Sequence, residues 1–483
     1  MPPLLILFFG FSIAVVLVWL RYHFIPLPGN WLVLSLPLFI SAALSSLIPL
    51  WLLGRKTTYI VRVRRFWLLG FVLVFALLIF NTQAFLAGLL LNLAPLIPLH
   101  PWVSANLSFI MKLGGLIASF ILLTGVLSAT GNIFLKRWDD SDTVDCYWFF
   151  LRLAVGASLW TTILILFDGF DILNMTAIWL GIIGIVLWQR RHLIRLIRHC
   201  FVRDQWSLDA KRPHFYVVAI GFFLVAINLA GAIRPDPVGY DDMTYYMNRA
   251  HLMAEEQSLI PGGNPFPFEL LAAGIRITSG DDTMLLALGL GVYGLLLGTA
   301  ILYAFGRTVF SRSVGMLAAV IALSIPMAPA LAIAETKPDV FLFPITTLCF
   351  WSLVRWLGTH DIRYAYGSVF LFGFACTIKL TAVFLIAPFL ITVGLVWIRT
   401  RQFLPRSFRT VILVGVFFLL PLIPWIWYGA STRDYTFSIP LSHILTSTPN
   451  AASPTLDQEM NALFVAAACS ATGTEEDFAR FEH

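Results

Sequence analysis

The chain has 483 residues, 59% hydrophobic and only 12% charged, with a formal net charge of +6. That charged share is about half of what a soluble domain carries, too little to cover a water-soluble core, so the composition excludes an ordinary soluble protein. In lipid every backbone polar group must pair internally, which leaves helices or closed barrels; apolar runs of roughly 18–25 residues without period-two alternation predict helices.

The expected fold class is therefore all-α, a polytopic transmembrane helical bundle of about 13 spans. In chain order these are 3–20, 31–53, 66–91, 107–128, 147–167, 172–188, 214–233, 283–304, 311–333, 338–357, 364–378, 381–398 and 408–428. The first run lacks a basic n-region and a small-residue cleavage site, so it reads as a retained helix rather than a signal peptide. The stretch 364–398 is too long for one crossing, and Lys379 marks the break. Five cysteines show no CxxC pair and no metal-ligand spacing. They read as packing residues or idle thiols.

Orientation follows from the basic residues. With the N-terminus inside, 23 of the 32 Lys and Arg fall on the cytoplasmic side and 19 of the 26 Asp and Glu on the other. Arg21, just after the first span, votes locally the other way. The sequence pI near 9.1 reflects these dispersed topology determinants, so no nucleic-acid partner is expected. The densest basic stretch, 190–212, is expected to lie on anionic lipid. An integral membrane protein of a bacterial cytoplasmic (inner) membrane, with its active face outward, is the implied localisation.

The basic loop divides the chain into an N-terminal six-helix region (1–212), a membrane module (213–429) and a short outer tail (430–483). The first region reads as scaffold: Asp168 and Asp171 are among its few outer polar groups and form no recognisable constellation. In the module, helix 214–233 leads into a long outer loop, 234–282. Loops of that length tend to be functional. Between 242 and 257 the residues Met243, Tyr246, Met247, Ala250 and Met253 recur at helical spacing. They predict an amphipathic interfacial helix with Tyr245 and Tyr246 at headgroup level. Prolines and glycines (PGGNPFP) then break it. Gly294 and Gly298 form a GxxxG, a close-packing device in lipid.

The same orientation puts Asp241, Asp242, Glu335, Lys337, Asp339 and Lys379 on one face, from three separate visits of the chain. The Asp241-Asp242 pair is either a helix cap, which explains one aspartate better than two, or it supplies a carboxylate poised as general base. Glu335, Lys337 and Asp339 form either a solvated turn, with Pro338 opening the next helix, or a site that orients an acceptor or holds a divalent cation. Lys379 interrupts apolar sequence on the side where cations are scarce. It either snorkels to headgroups or binds phosphate, and Lys337 and Arg249 are further phosphate-binding candidates. GxxxxGK[ST], HExxH and GxSxG are absent. No charged residue sits near the middle of 283–304, 311–333 or 338–357, where an ion-coupled transporter would keep one.

The second half resembles the GT-C class of membrane glycosyltransferases, nearest to the protein mannosyltransferases and lipid A aminoarabinose transferases. The resemblance rests on Tyr240-Asp241-Asp242 with Tyr245-Tyr246, on Lys337-Pro338-Asp339, and on Gly373 through Lys379, within about residues 213–440. It implies a sugar taken from a polyprenyl-phosphate donor on the outer face, in contact with membrane lipid. Asp241 would deprotonate the acceptor hydroxyl, Asp242 would support it, and Lys379 would neutralise the leaving phosphate. Six helices precede the module and few residues follow it, so a reduced member and a truncated chain both stay open. The alternatives are a lipid or polysaccharide transporter or flippase, and a structural subunit of an envelope complex.

Overall fold

A computed structural model describes residues 60–64, 99–138, 145–202, 205–209, 245–260, 265–280, 285–325, 327–391 and 408–431, with scattered positions between 217 and 233. The expected spans 3–20, 31–53 and 66–91 lie outside the described residues. Twelve helices are described here: α1 (Leu99–Leu135), α2 (Cys146–Gly169), α3 (Met175–Trp188), α4 (Arg190–Val202), α5 (Met247–Glu256), α6 (Pro267–Ser279), α7 (Leu285–Val309), α8 (Arg312–Ser324), α9 (Asp339–Thr359), α10 (Ile362–Ile378), α11 (Phe408–Leu419) and α12 (Ile423–Ser431). One departure from the all-helical expectation is a short antiparallel ribbon, β1 (Ile60–Arg64) against β2 (Gln205–Asp209). The β-branched, alternating run IVRVR suits it. Both strands fall in segments that the charge bias assigns to the cytoplasmic side.

Among the described residues four helical segments are long and apolar enough to cross a membrane: Met111–Leu135, Cys146–Gly169, Leu285–Val309 and Asp339–Thr359. Three bent pairs raise the number to as many as seven. The described structure thus supports an integral membrane bundle with four to seven candidate spans, where about 13 were expected from hydropathy. The difference has two sources: expected spans that lie outside the described residues, and apolar runs that the backbone breaks. The run 408–428 bends by 56° between α11 and α12, at Pro421. The expected break at Lys379 is present, with α10 ending at Ile378 and a 3₁₀ turn following over Leu380–Leu385.

The helices pack by small residues at their crossings. A Cβ at Gly294 would lie 2.8 Å from the Val340 carbonyl, and one at Gly298 would run into the Phe343 ring. The GxxxG is therefore the seam between α7 and α9, as its spacing predicts. One hydrophobic core spans the N-terminal region and the module. Tyr147, Leu151 and Leu164 of α2 belong to the same buried cluster as Phe268, Phe341, Trp351 and Phe374. Helix α2 starts beside the α9–α10 connection, where Arg355 donates to Asp145 at 2.7 Å. It ends beside the outer loop, where Asp168 accepts from the Leu259 amide at 2.7 Å. Helix α10 runs the same way, from Arg363, which donates to the Trp138 carbonyl, to Lys379. Residues assigned to opposite membrane faces by charge thus collect at opposite ends of the bundle.

Candidate functional site at the outer-loop end

The turn between α8 and α9 is built from irregular backbone. Ala330–Ala334 form one π-helical turn, a form frequent at functional sites. The Glu335 amide donates to the Ala330 carbonyl at 2.9 Å and the Lys337 amide to Leu331 at 3.0 Å. Thr336 between them is fully buried with φ of +39°. A β-branched residue in that region stores strain of order 1–3 kcal/mol, held only where surroundings over-determine it. A Cβ at Gly291 of α7 would overlap the Ala332 carbonyl, so α7 clamps the turn from one side. Pro338 stands at the helix cap, one position before the expected first turn, and Asp339 occupies that turn, where the helix dipole favours a carboxylate.

Lys379 reaches this turn from another element. It is extended (φ −153°, ψ 126°) at the end of α10, and its Nζ donates to both oxygens of Asp339, at 2.8 and 2.7 Å. The two side chains are 31% and 32% exposed. Two of the residues singled out from sequence, forty positions apart, therefore meet. Lys337 and Glu335 approach to 3.6 Å within the turn itself. Among the described residues no group of three or more His, Cys, Asp and Glu side chains is placed to hold a metal ion. Asp241 and Asp242 lie outside the described residues.

The outer loop is more folded than its sequence implied. The expected amphipathic helix exists as α5, and its face is Met247, Ala250 and Met253, all buried. That face packs on protein, against α6 in particular. A second helix thus supplies the partner of the apolar face that the sequence assigned to the lipid interface. Helix α6 was missed. Its signals were present: Pro267 at the first position, a run ELLAA of strong helix formers, and Gly280 as a left-handed cap with φ of +58°.

The two helices carry buried charge. Arg249 lies 4.8 Å from the ring centres of both Tyr245 and Phe266. It also donates a long, 3.4 Å hydrogen bond to the Tyr245 hydroxyl. Such stacking uses the flat guanidinium, which a lysine would not reproduce. Glu269 of α6 is 4% exposed, and its Oε2 has no hydrogen-bond partner among the described residues. Burial pushes its carboxyl up to about 7, against the opposing pull of Arg249. At the far edge of the same pair, His251 lies 3.0 Å and Arg276 3.7 Å from Glu255. Glu269 carries no signal in the sequence, because its burial depends on α6 and on what packs over it.

The loop is tied to the rest of the end at several points. Phe268 meets Phe341 with ring centres 6.1 Å apart, linking α6 to the start of α9 and so to Asp339. Phe266 meets Trp425 at 5.1 Å, and the Tyr428 hydroxyl donates to the Leu259 carbonyl at 3.3 Å. Asp168, which seemed isolated in the sequence, holds the amide of that same residue.

No curated protein and no solved structure matches the chain. Residues 265–428, roughly a third of it, match the model of a family described as dolichyl-phosphate-mannose-protein mannosyltransferase. The matched stretch contains Glu269, the 335–339 turn and Lys379, and begins after Asp241, Asp242 and Arg249. Over these residues the chain is similar to a family of GT-C-type membrane glycosyltransferases, and the match supports a transferase of that class.

Proposed function

We propose that the protein is a membrane glycosyltransferase that moves a sugar from a polyprenyl-phosphate donor to an acceptor hydroxyl on the outer face. The observation that carries this reading is the meeting of Lys379 with Asp339, inside the matched segment, at the bundle end formed by the long loop. Ionisable groups gathered at helix ends suit chemistry on a headgroup-linked substrate. A transporter would concentrate them near the middle of its spans.

In the proposed reaction Asp241 takes the proton of the acceptor hydroxyl, and Asp242 holds Asp241 in place. The acceptor oxygen attacks the anomeric carbon, the bond from that carbon to the phosphate oxygen breaks, and polyprenyl phosphate leaves with the bonding electron pair. Lys379 stabilises the charge that develops on the leaving phosphate, an interaction strengthened where water is excluded. An ammonium has three donors. Asp339 takes two in the structure and thereby aims the third. Lys337 and Arg249 are further contacts for the donor phosphate, and Glu335 orients the acceptor.

The test is release of polyprenyl phosphate from a synthetic donor by the protein in lipid nanodiscs, measured with and without candidate acceptors. Acceptor-dependent release establishes transfer. No release from any polyprenyl-phosphate sugar, by protein that is folded and inserted, removes the donor class and the reading with it.

A further inference from the structure

We propose that α4 is an anionic-lipid-binding helix lying in the membrane interface at the end of the bundle opposite the candidate site. Three observations place it there. First, α4 departs from α3 by 71° across a single residue, Gln189. If α3 crosses the bilayer near its normal, α4 runs nearly parallel to the surface. Four arginines in its first nine residues make a second crossing too costly.

Second, its faces are divided by helical spacing into three roles. Leu193 and Leu196 are half-buried, and Leu193 approaches Gly125 of α1. His192 hydrogen-bonds to Ser128 of α1 at 3.0 Å, so this face holds the helix to the bundle. Ile194 and Ile197, three apart, are 47% and 56% exposed and point away from the described residues. Arg191, Arg195 and Arg198 fall on the third face at spacings of four and three, and all are exposed. Apolar side chains on one flank and a row of guanidinium groups on the next match a boundary between acyl chains and phosphate headgroups.

Third, the charge is of the right sign and kind. Arginine pairs with phosphate by paired N–H donors, and no acidic residue lies on α4 to neutralise the row. An anionic phospholipid surface is therefore the occupant.

The experiment uses the full chain with its native cysteines replaced and a bimane label at Ile197→Cys, in nanodiscs of phosphatidylcholine with or without phosphatidylglycerol. Short-range quenching by nitroxide-labelled phosphatidylglycerol is compared with quenching by nitroxide-labelled phosphatidylcholine. The expected result is several-fold stronger quenching by the anionic lipid, abolished in the Arg191→Gln, Arg195→Gln, Arg198→Gln triple variant and weakened by high salt. The corresponding triple Lys variant, matched for expression and thermal stability, retains the preference and separates charge from misfolding. Equal quenching by the two lipids overturns the proposal. So does a label shielded from both lipids and from aqueous quencher, which would mean that protein covers the face.

Discussion

Lys379 holds both carboxylate oxygens of Asp339, at 2.8 and 2.7 Å, across the gap between the end of α10 and the start of α9. Lys379 therefore already has an anion, and two roles need to be separated, that of a structural staple and that of a phosphate contact. If the pair is only a staple, reversing it (Lys379→Asp with Asp339→Lys) restores stability and turnover together. If Lys379 serves the leaving phosphate, the reversed pair restores the melting temperature and leaves turnover down by 10²-fold or more, the usual scale for losing a transition-state charge contact. Thermal unfolding and donor turnover on the same preparations decide between them.

Asp241→Asn is expected to lower transfer by roughly 10²–10⁴-fold with the protein still folded and inserted. Asparagine caps a helix as well as aspartate does, so the substitution removes the base and keeps the cap. Turnover near the wild-type level moves the base to Asp242, Glu335 or Asp339.

Glu269 makes the fold pH-dependent in a definite direction. Its folded-state carboxyl titrates at about 7 against an ordinary value of 4.5, so the folded protein holds the proton more tightly than the unfolded chain. The stabilisation is fully present below about pH 4.5 and is lost as pH rises to about 7, on the order of 3 kcal/mol if the whole shift is realised. Glu269→Gln is expected to raise the melting temperature clearly at pH 8 and little at pH 5. An equal change at both values would mean that Glu269 does not titrate between them.

The seam between α7 and α9 predicts a steric effect. Gly294→Val would place its Cβ 2.8 Å from the Val340 carbonyl, and overpacking of this kind costs about 1–3 kcal/mol or more. Gly415→Val, at a glycine whose added Cβ meets nothing within 4 Å, is the control and is expected to leave the melting temperature nearly unchanged.

The topology is tested at two exposed positions. In a background without native cysteines, a membrane-impermeant thiol reagent applied to intact cells is expected to label Glu256→Cys in the outer loop and to miss Thr359→Cys at the far end of α9. Reversed labelling would put the Lys379–Asp339 end in the cytoplasm.

Much of the helical plan was legible because hydropathy and length carry it: α2, α7 and α9 lie within a few residues of their expected limits. The break at Lys379 was legible because a charge cannot continue an apolar span cheaply. What the one-dimensional pattern lacks is knowledge of partners. The face of Met247, Ala250 and Met253 reads the same whether it meets lipid or α6. Asp168 and Glu269 looked unremarkable because their significance lies in what folds over them, the Leu259 amide in one case and a closed apolar wall in the other. The pairing of Lys379 with Asp339 was legible only as a shared membrane face.

Leu259 is held from two sides, its amide by Asp168 of α2 and its carbonyl by Tyr428 of α12. One holder comes from the region before the basic loop and the other from the last described helix. A fragment cut at the limits of the matched segment, 265–428, would therefore lose Leu259 with both of its contacts and expose the α2 side of the core. Cutting the chain between β2 and residue 217 should instead leave two pieces that stay together through detergent extraction and purify as a pair. For dissection of this protein the indivisible unit is set by that clasp, and it is wider than the stretch that resembles a known family.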